Sequence, residues 1–180
     1  MENENYIELL GTKYNIEKTT SLEIFKLKGS IPNQIFMLKN LRVLKLKGCG
    51  LNGNISSQIE NLRKLTHLDF SCNNLSGYIP YEIFELKKLS SLNLSSNNFD
   101  GAIPFEVGKL KLLTHLDLSN NSFEGNLPDS ICDLKKIWYI NLINNSFSGY
   151  ISESLIKFVS KKNLPLSNII NGNNFNLNFS

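Results

Sequence analysis

The stretch LSSLNLSSNNFDGAIP, Leu89 to Pro104, places leucines two and three residues apart ahead of an asparagine pair, then closes on Gly101, Ile103 and Pro104. An amide within an apolar segment is costly unless it is hydrogen-bonded, so the asparagines need an explanation. The surroundings supply it, because the whole stretch recurs. Gly29, Gly53, Gly77, Gly101, Gly125 and Gly149 stand at intervals of 24 residues. Two residues beyond each comes an apolar side chain: Ile31, Ile55, Ile79, Ile103, Leu127 and Ile151. The pairs Leu44/Leu46, Leu68/Phe70, Leu92/Leu94, Leu116/Leu118 and Ile140/Leu142 keep the same register. Asn73, Asn97, Asn121 and Asn145 each follow the last member of their pair by three residues.

The physics of one unit follows from this pattern. Leu-x-Leu alternation predicts a short strand with one face inward. The Gly, Asn and Pro that punctuate the next dozen residues predict a turn. So short a unit cannot bury its apolar face alone, so units stack and each covers the next. The asparagine ladder Asn73, Asn97, Asn121 and Asn145 is expected where the chain leaves each strand, bonding backbone groups of its own and the neighbouring coil. Each buried group left unpaired would cost about 1–3 kcal/mol.

The consensus LxxLxLxxNxLxGxIPxxIxxLxx resembles the plant-type leucine-rich repeat of receptor-like kinases, receptor-like proteins and polygalacturonase-inhibiting proteins. The resemblance covers roughly residues 20–160. It implies an α/β-type solenoid: a right-handed coil with a parallel β-sheet on its concave face and mostly 3₁₀ or irregular turns on its convex side. It also implies a non-enzymatic, receptor-like module that binds a protein or peptide on the concave face. The same resemblance implies a second possibility, an inhibitor of a secreted carbohydrate-active enzyme. Residues 1–20 are read as an N-terminal capping segment or worn partial repeat, 21–160 as about six 24-residue repeats, and 161–180 as a degenerate last repeat with a polar tail. Carried back in register, the first unit puts Thr20 at the first strand leucine and Phe25 at the asparagine position. The next unit has Cys49 there, where a thiol still donates weakly. Carried forward, the register keeps Leu164 and Leu166, with a polar cap beyond about Asn171.

Composition narrows the function classes. The chain has 180 residues and a formal net charge of +3, too small by itself to point to nucleic acid. No apolar run is long enough to span a bilayer. MENENYIELLGTKYN lacks the basic and apolar regions of a signal peptide, while the resembled family is mostly extracellular or membrane-attached, so the compartment stays open. Cys49, Cys72 and Cys132 have no metal-type spacing and are expected to be free thiols. Neither a metal nor a cofactor is expected. Six N-x-S sequons, at Asn54, Asn74, Asn93, Asn120, Asn144 and Asn178, arise mostly from the repeat itself.

The register assigns outward positions on the expected sheet. One column is Val43, His67, Ser91, His115 and Tyr139; the next is Lys45, Asp69, Asn93, Asp117 and Asn141. A third holds Lys47, Ser71, Ser95, Ser119 and Ile143. The first two columns are the candidate partner-binding residues, and Trp138 is a candidate rim hot spot. The His67-x-Asp69 and His115-x-Asp117 pairs admit a hydrolase or shared-metal reading. Two strand spacings separate the histidines by about 9–10 Å, awkward for a Ser–His contact. The plainer reading is that THLD is one way of writing this repeat. Lys39, Arg63, Lys87, Lys111 and Lys135 form a basic ladder that nearby carboxylates can neutralise. No aromatic residues interleave it as nucleic-acid binding would require.

Overall fold

A computed structural model describes residues 5–176. The first four residues of the predicted cap lie outside the described residues, as do the last four of the predicted tail with the sequon at Asn178. A hairpin opens the chain, with β1 (Tyr6–Leu9) antiparallel to β2 (Thr12–Asn15), and β3 (Ser21–Glu23) follows. Strands of two sheets then alternate: β4 (Val43–Lys45), β5 (Asn52–Gly53), β6 (His67–Asp69), β7 (Asn74–Gly77) and β8 (Ser91–Asn93). The alternation continues through β9 (Asn98–Gly101), β10 (His115–Asp117), β11 (Ser122–Gly125), β12 (Tyr139–Asn141) and β13 (Ser146–Tyr150). The chain ends with α1 (Glu153–Lys161), α2 (Ser167–Ile170) and β14 (Asn174–Asn176).

The even strands β4 to β12 join β3 in one parallel six-stranded sheet, and the odd strands β5 to β13 join β14 in another. From β4 onward each strand of the first sheet pairs with the residue 24 positions on, as in Leu44 with Leu68 and Leu92 with Leu116. Between the sheets the return path holds one-turn 3₁₀ helices, at Asn33–Met37, Ser57–Asn61, Tyr81–Glu85, Phe105–Lys109 and Asp129–Asp133. Proline precedes four of the five, its fixed φ suiting the extended residue before a helical turn. The leucines of every strand and helical turn meet in one continuous core, and Phe99, Phe123, Phe147 and Phe175 stack through it at centroid distances of 6.1, 6.1 and 6.4 Å.

The asparagines join the coils. The Asn97 carboxamide oxygen accepts from the Leu75 amide of the preceding coil, and its nitrogen donates to the carbonyls of Phe70, Leu94 and Ser95. Asn73, Asn121 and Asn145 repeat the arrangement. From Phe70 onward each strand-end carbonyl serves two amides, so Leu94 accepts from both Asn97 and Asn121. Just before each asparagine the backbone turns left-handed, at Cys72, Ser96, Asn120 and Asn144 with φ of 58°, 55°, 54° and 54°.

The two ends depart from the register. β3 pairs Leu22 with Leu44, not Thr20, so the first coil is two residues short. The deficit lies between Ile24 and Leu27, because Gly29 still bridges to Leu51 in the second sheet. Phe25 therefore fills no core position and is 71% exposed. The Cys49 thiol replaces the missing amide, donating to the Ile24 carbonyl at 2.9 Å. At the other end the ladder continues to Asn173, which donates to Leu142 and accepts from Phe147. It lies four residues beyond the 24-residue position, held at Ile169, because α1 and α2 lengthen this coil. β14 then pairs with β13 where the register had put a polar cap. In the hairpin, the β1–β2 turn uses Leu10 and Gly11 at φ 51° and 77°. A left-handed leucine costs about 1–2 kcal/mol where asparagine would sit easily.

Candidate functional site

The first column lies on the open face of the main sheet in strict lateral register: Val43, His67, Ser91, His115 and Tyr139. The second, Lys45, Asp69, Asn93, Asp117 and Asn141, runs beside it in the same pairing. All of these side chains are half-buried except the exposed His67. The third column is different. Ser71, Ser95 and Ser119 are buried rather than outward-facing. The strands end at residues 69, 93 and 117, so alternation no longer governs them. Each serine instead turns back and donates its amide and hydroxyl to the carboxylate or amide oxygen of Asp69, Asn93 or Asp117, the hydroxyl contacts spanning 2.6–2.7 Å. One oxygen each of Asp69, Asn93 and Asp117 is thus committed to holding its own turn.

Chemistry concentrates at the C-terminal end of the sheet. Tyr139 stacks on His115 with ring centroids 4.1 Å apart and planes inclined by 4°. Trp138 meets both rings edge-on, at 5.7 and 6.2 Å, while remaining 66% exposed. The Tyr139 hydroxyl lies 3.4 Å from the second Asp117 carboxylate oxygen. Burial lowers the His115 pKa below the usual histidine value, against the opposing pull of Asp117 and Asp69. Burial raises the Tyr139 phenol, and Asp117 raises it further. The result is an imidazole stacked under a tyrosine ring, flanked by a carboxylate and an open indole. Trp138 stands there because its coil breaks a run of hydroxyls: Thr66, Ser90 and Thr114 each donate to the preceding coil's backbone. That break was readable as a large aromatic residue in a Thr/Ser column; its contact with His115 was not.

The structure brings His115, Trp138 and Tyr139 together but leaves His67 apart, its Nδ1 at 2.9 Å from the Thr66 hydroxyl. Among the described residues no group of three or more His, Cys, Asp or Glu could hold a metal ion. The basic ladder is partly neutralised: Glu85 holds Lys109 at 2.6 Å and Lys87 at 3.7 Å, and Asp133 holds Lys111 at 3.2 Å and Lys135 at 3.8 Å. Cys49 is buried, Cys72 exposed and Cys132 half-buried, all as free thiols. Among the described residues, no helix is long and apolar enough to cross a membrane.

Family models for the leucine-rich repeat match residues 39–99 and 112–134. The BIR2 ectodomain from Arabidopsis thaliana is 32% identical over 76% of this chain and 69% of its own, with a TM-score of 0.67. The chain belongs to the plant-type leucine-rich-repeat family. The ectodomain of the Arabidopsis receptor kinase HAESA, solved with the peptide hormone IDA and the co-receptor SERK1, superposes with a TM-score of 0.78 at 30% identity over 89% of this chain. That of the Arabidopsis thaliana receptor kinase GASSHO1/SCHENGEN3, solved with CASPARIAN STRIP INTEGRITY FACTOR 2, is 38% identical over 77% of the chain, with a TM-score of 0.75. The chain spans only 31% and 17% of those two ectodomains. No curated protein matches the sequence. Within a leucine-rich-repeat solenoid the main sheet is the concave face, and the aromatic cluster lies toward its C-terminal end.

Proposed function

We propose that this leucine-rich-repeat solenoid is a receptor-like recognition module that binds a protein or peptide along its concave face. The observation that carries the reading is the cluster of His115, Tyr139 and Trp138 beside Asp117, where large aromatic area is exposed on a rigid sheet. Stacked aromatics lose little conformational entropy on binding and are the residue types that make hot spots. The His115 imidazole adds hydrogen-bonding capacity. The peptide hormone IDA named with the HAESA structure supports the same class of partner.

The test is affinity capture with wild type against a variant changed at His67, Asp117 and Tyr139 together, with matched folding by circular dichroism. The reading expects a partner that wild type retains and the variant loses. Equal recovery of every partner would refute the concave-face assignment. A hydrolase built on the His/Asp pairs would instead show turnover that His115→Ala removes.

A further inference from the structure

We infer a second binding site, separate from the concave face: a notch at the N-terminal end that takes an apolar side chain of a partner segment flanked by carboxylates. Its origin is the two-residue deficit of the first coil. Elsewhere four residues carry the chain from the last strand leucine to the buried position of the second sheet; here only Phe25 and Lys26 join Ile24 to Leu27. The shortened turn leaves a groove of about 770 Å³ whose lining includes Leu10, Phe25, Leu27 and Cys49.

Three observations give the notch its ligand chemistry. Leu10 and Phe25, from different turns, are 65% and 71% exposed and line the same groove. Large apolar side chains gathered on one patch mark interaction surfaces more often than scattered ones do. Leu10 also holds a left-handed conformation in a two-residue turn that asparagine would satisfy better, so the local sequence rule is broken in favour of an apolar contact. Finally, Lys26 and Lys28 line the groove, and neither enters an ion pair among the described residues. The one carboxylate of the neighbouring strand, Glu23, is engaged by Lys45 at 3.8 Å. An apolar floor with an uncompensated cationic rim fits an acidic, hydrophobic peptide segment and disfavours a basic one. The first coil lies five strand spacings from Tyr139, roughly 24 Å along the sheet at the usual strand spacing, so both sites can be filled at once.

The experiment measures fluorescence polarisation of a labelled Glu-Leu-Asp-Phe-Glu peptide against a Lys-Leu-Lys-Phe-Lys counterpart. Wild type is expected to bind the acidic peptide saturably and at least about tenfold more tightly than the basic one. Lys26→Glu combined with Lys28→Glu, both exposed positions, is expected to abolish that preference. Inserting two residues after Ile24, which gives the first coil the length of the others, is expected to remove binding, whereas Tyr139→Ala leaves it unchanged. Equal affinity for the two peptides, or binding that survives both the charge reversal and the insertion, overturns the site. So does loss of binding in Tyr139→Ala, which would put the peptide on the concave face. A dimer that Phe25→Ser dissociates would overturn it as well, making a second copy the occupant.

Discussion

The coils from residue 43 onward and the coil before them follow the same path but close it differently. In the later coils an amide closes each turn with hydrogen bonds to both backbones, so Asn97 satisfies Leu75 behind it and Leu94 and Ser95 in its own turn. In the first coil the turn is two residues shorter, and the side chain laid on its strand exit is the Cys49 thiol on Ile24 rather than an amide. The strands pair equally well in both. What differs is whether the exit from the strand is tied down or left open to solvent. Regularity builds the scaffold, and the lapse in regularity leaves an accessible apolar surface.

The largest effect that would break this comparison lies in the shared core. Phe123→Ala removes the middle of the phenylalanine stack and is expected to cost about 3–5 kcal/mol in denaturant unfolding. Asn97→Leu is expected to cost about 2–3 kcal/mol. It orphans the Leu75 amide, whereas the Leu94 carbonyl keeps Asn121 as a donor. Cys49→Ala, which removes the rung that the second coil lays on the short first coil, is expected to cost about 1 kcal/mol or less, because a thiol donates weakly. Equal losses at Asn97 and Cys49 would erase the distinction between the two regions. In the other direction, Cys72→Asn places the side chain used at positions 120 and 144 into a left-handed turn and is expected to gain about 0.5–1 kcal/mol.

The smallest effect is a titration. The His115 pKa is lowered in the folded protein, so the folded state binds fewer protons than the unfolded one. The associated stability is complete above the unfolded value of about 6.5 and is lost as pH falls toward the folded value. Imidazole proton shifts measured by NMR should place His115 below that value. Tyr139→Ala should move it upward by exposing the ring to water. A midpoint unmoved by the substitution would mean that stacking does not bury the imidazole.

Much of this was legible in the sequence, because the period is a property of the residues themselves. Glycines every 24 positions and Leu-x-Leu pairs fixed which side chains share a column, and the observed pairing of His67 with Ser91 and of Ser91 with His115 follows that register. The period fails where it is extrapolated. A period of two places Ser95 outward, but the strand stops at Asn93 and hydrogen bonding takes over. Counting back by 24 places Thr20 opposite Leu44, across a deficit that no flanking residue marks. Asn173 falls outside the 24-residue register because helix, at a different rise per residue, occupies the last coil before it. The stacking of His115 on Tyr139 depends on rotamers, which column membership alone does not set.

The ladder also has a direction. Each asparagine reaches back to its predecessor: Asn97 caps Leu75, Asn121 caps Phe99, Asn145 caps Phe123 and Asn173 caps Phe147. A coil is therefore complete only once its successor has been made. Each turn is thus closed from its C-terminal side, and among the described residues the last such closure is that of Asn173 on Phe147.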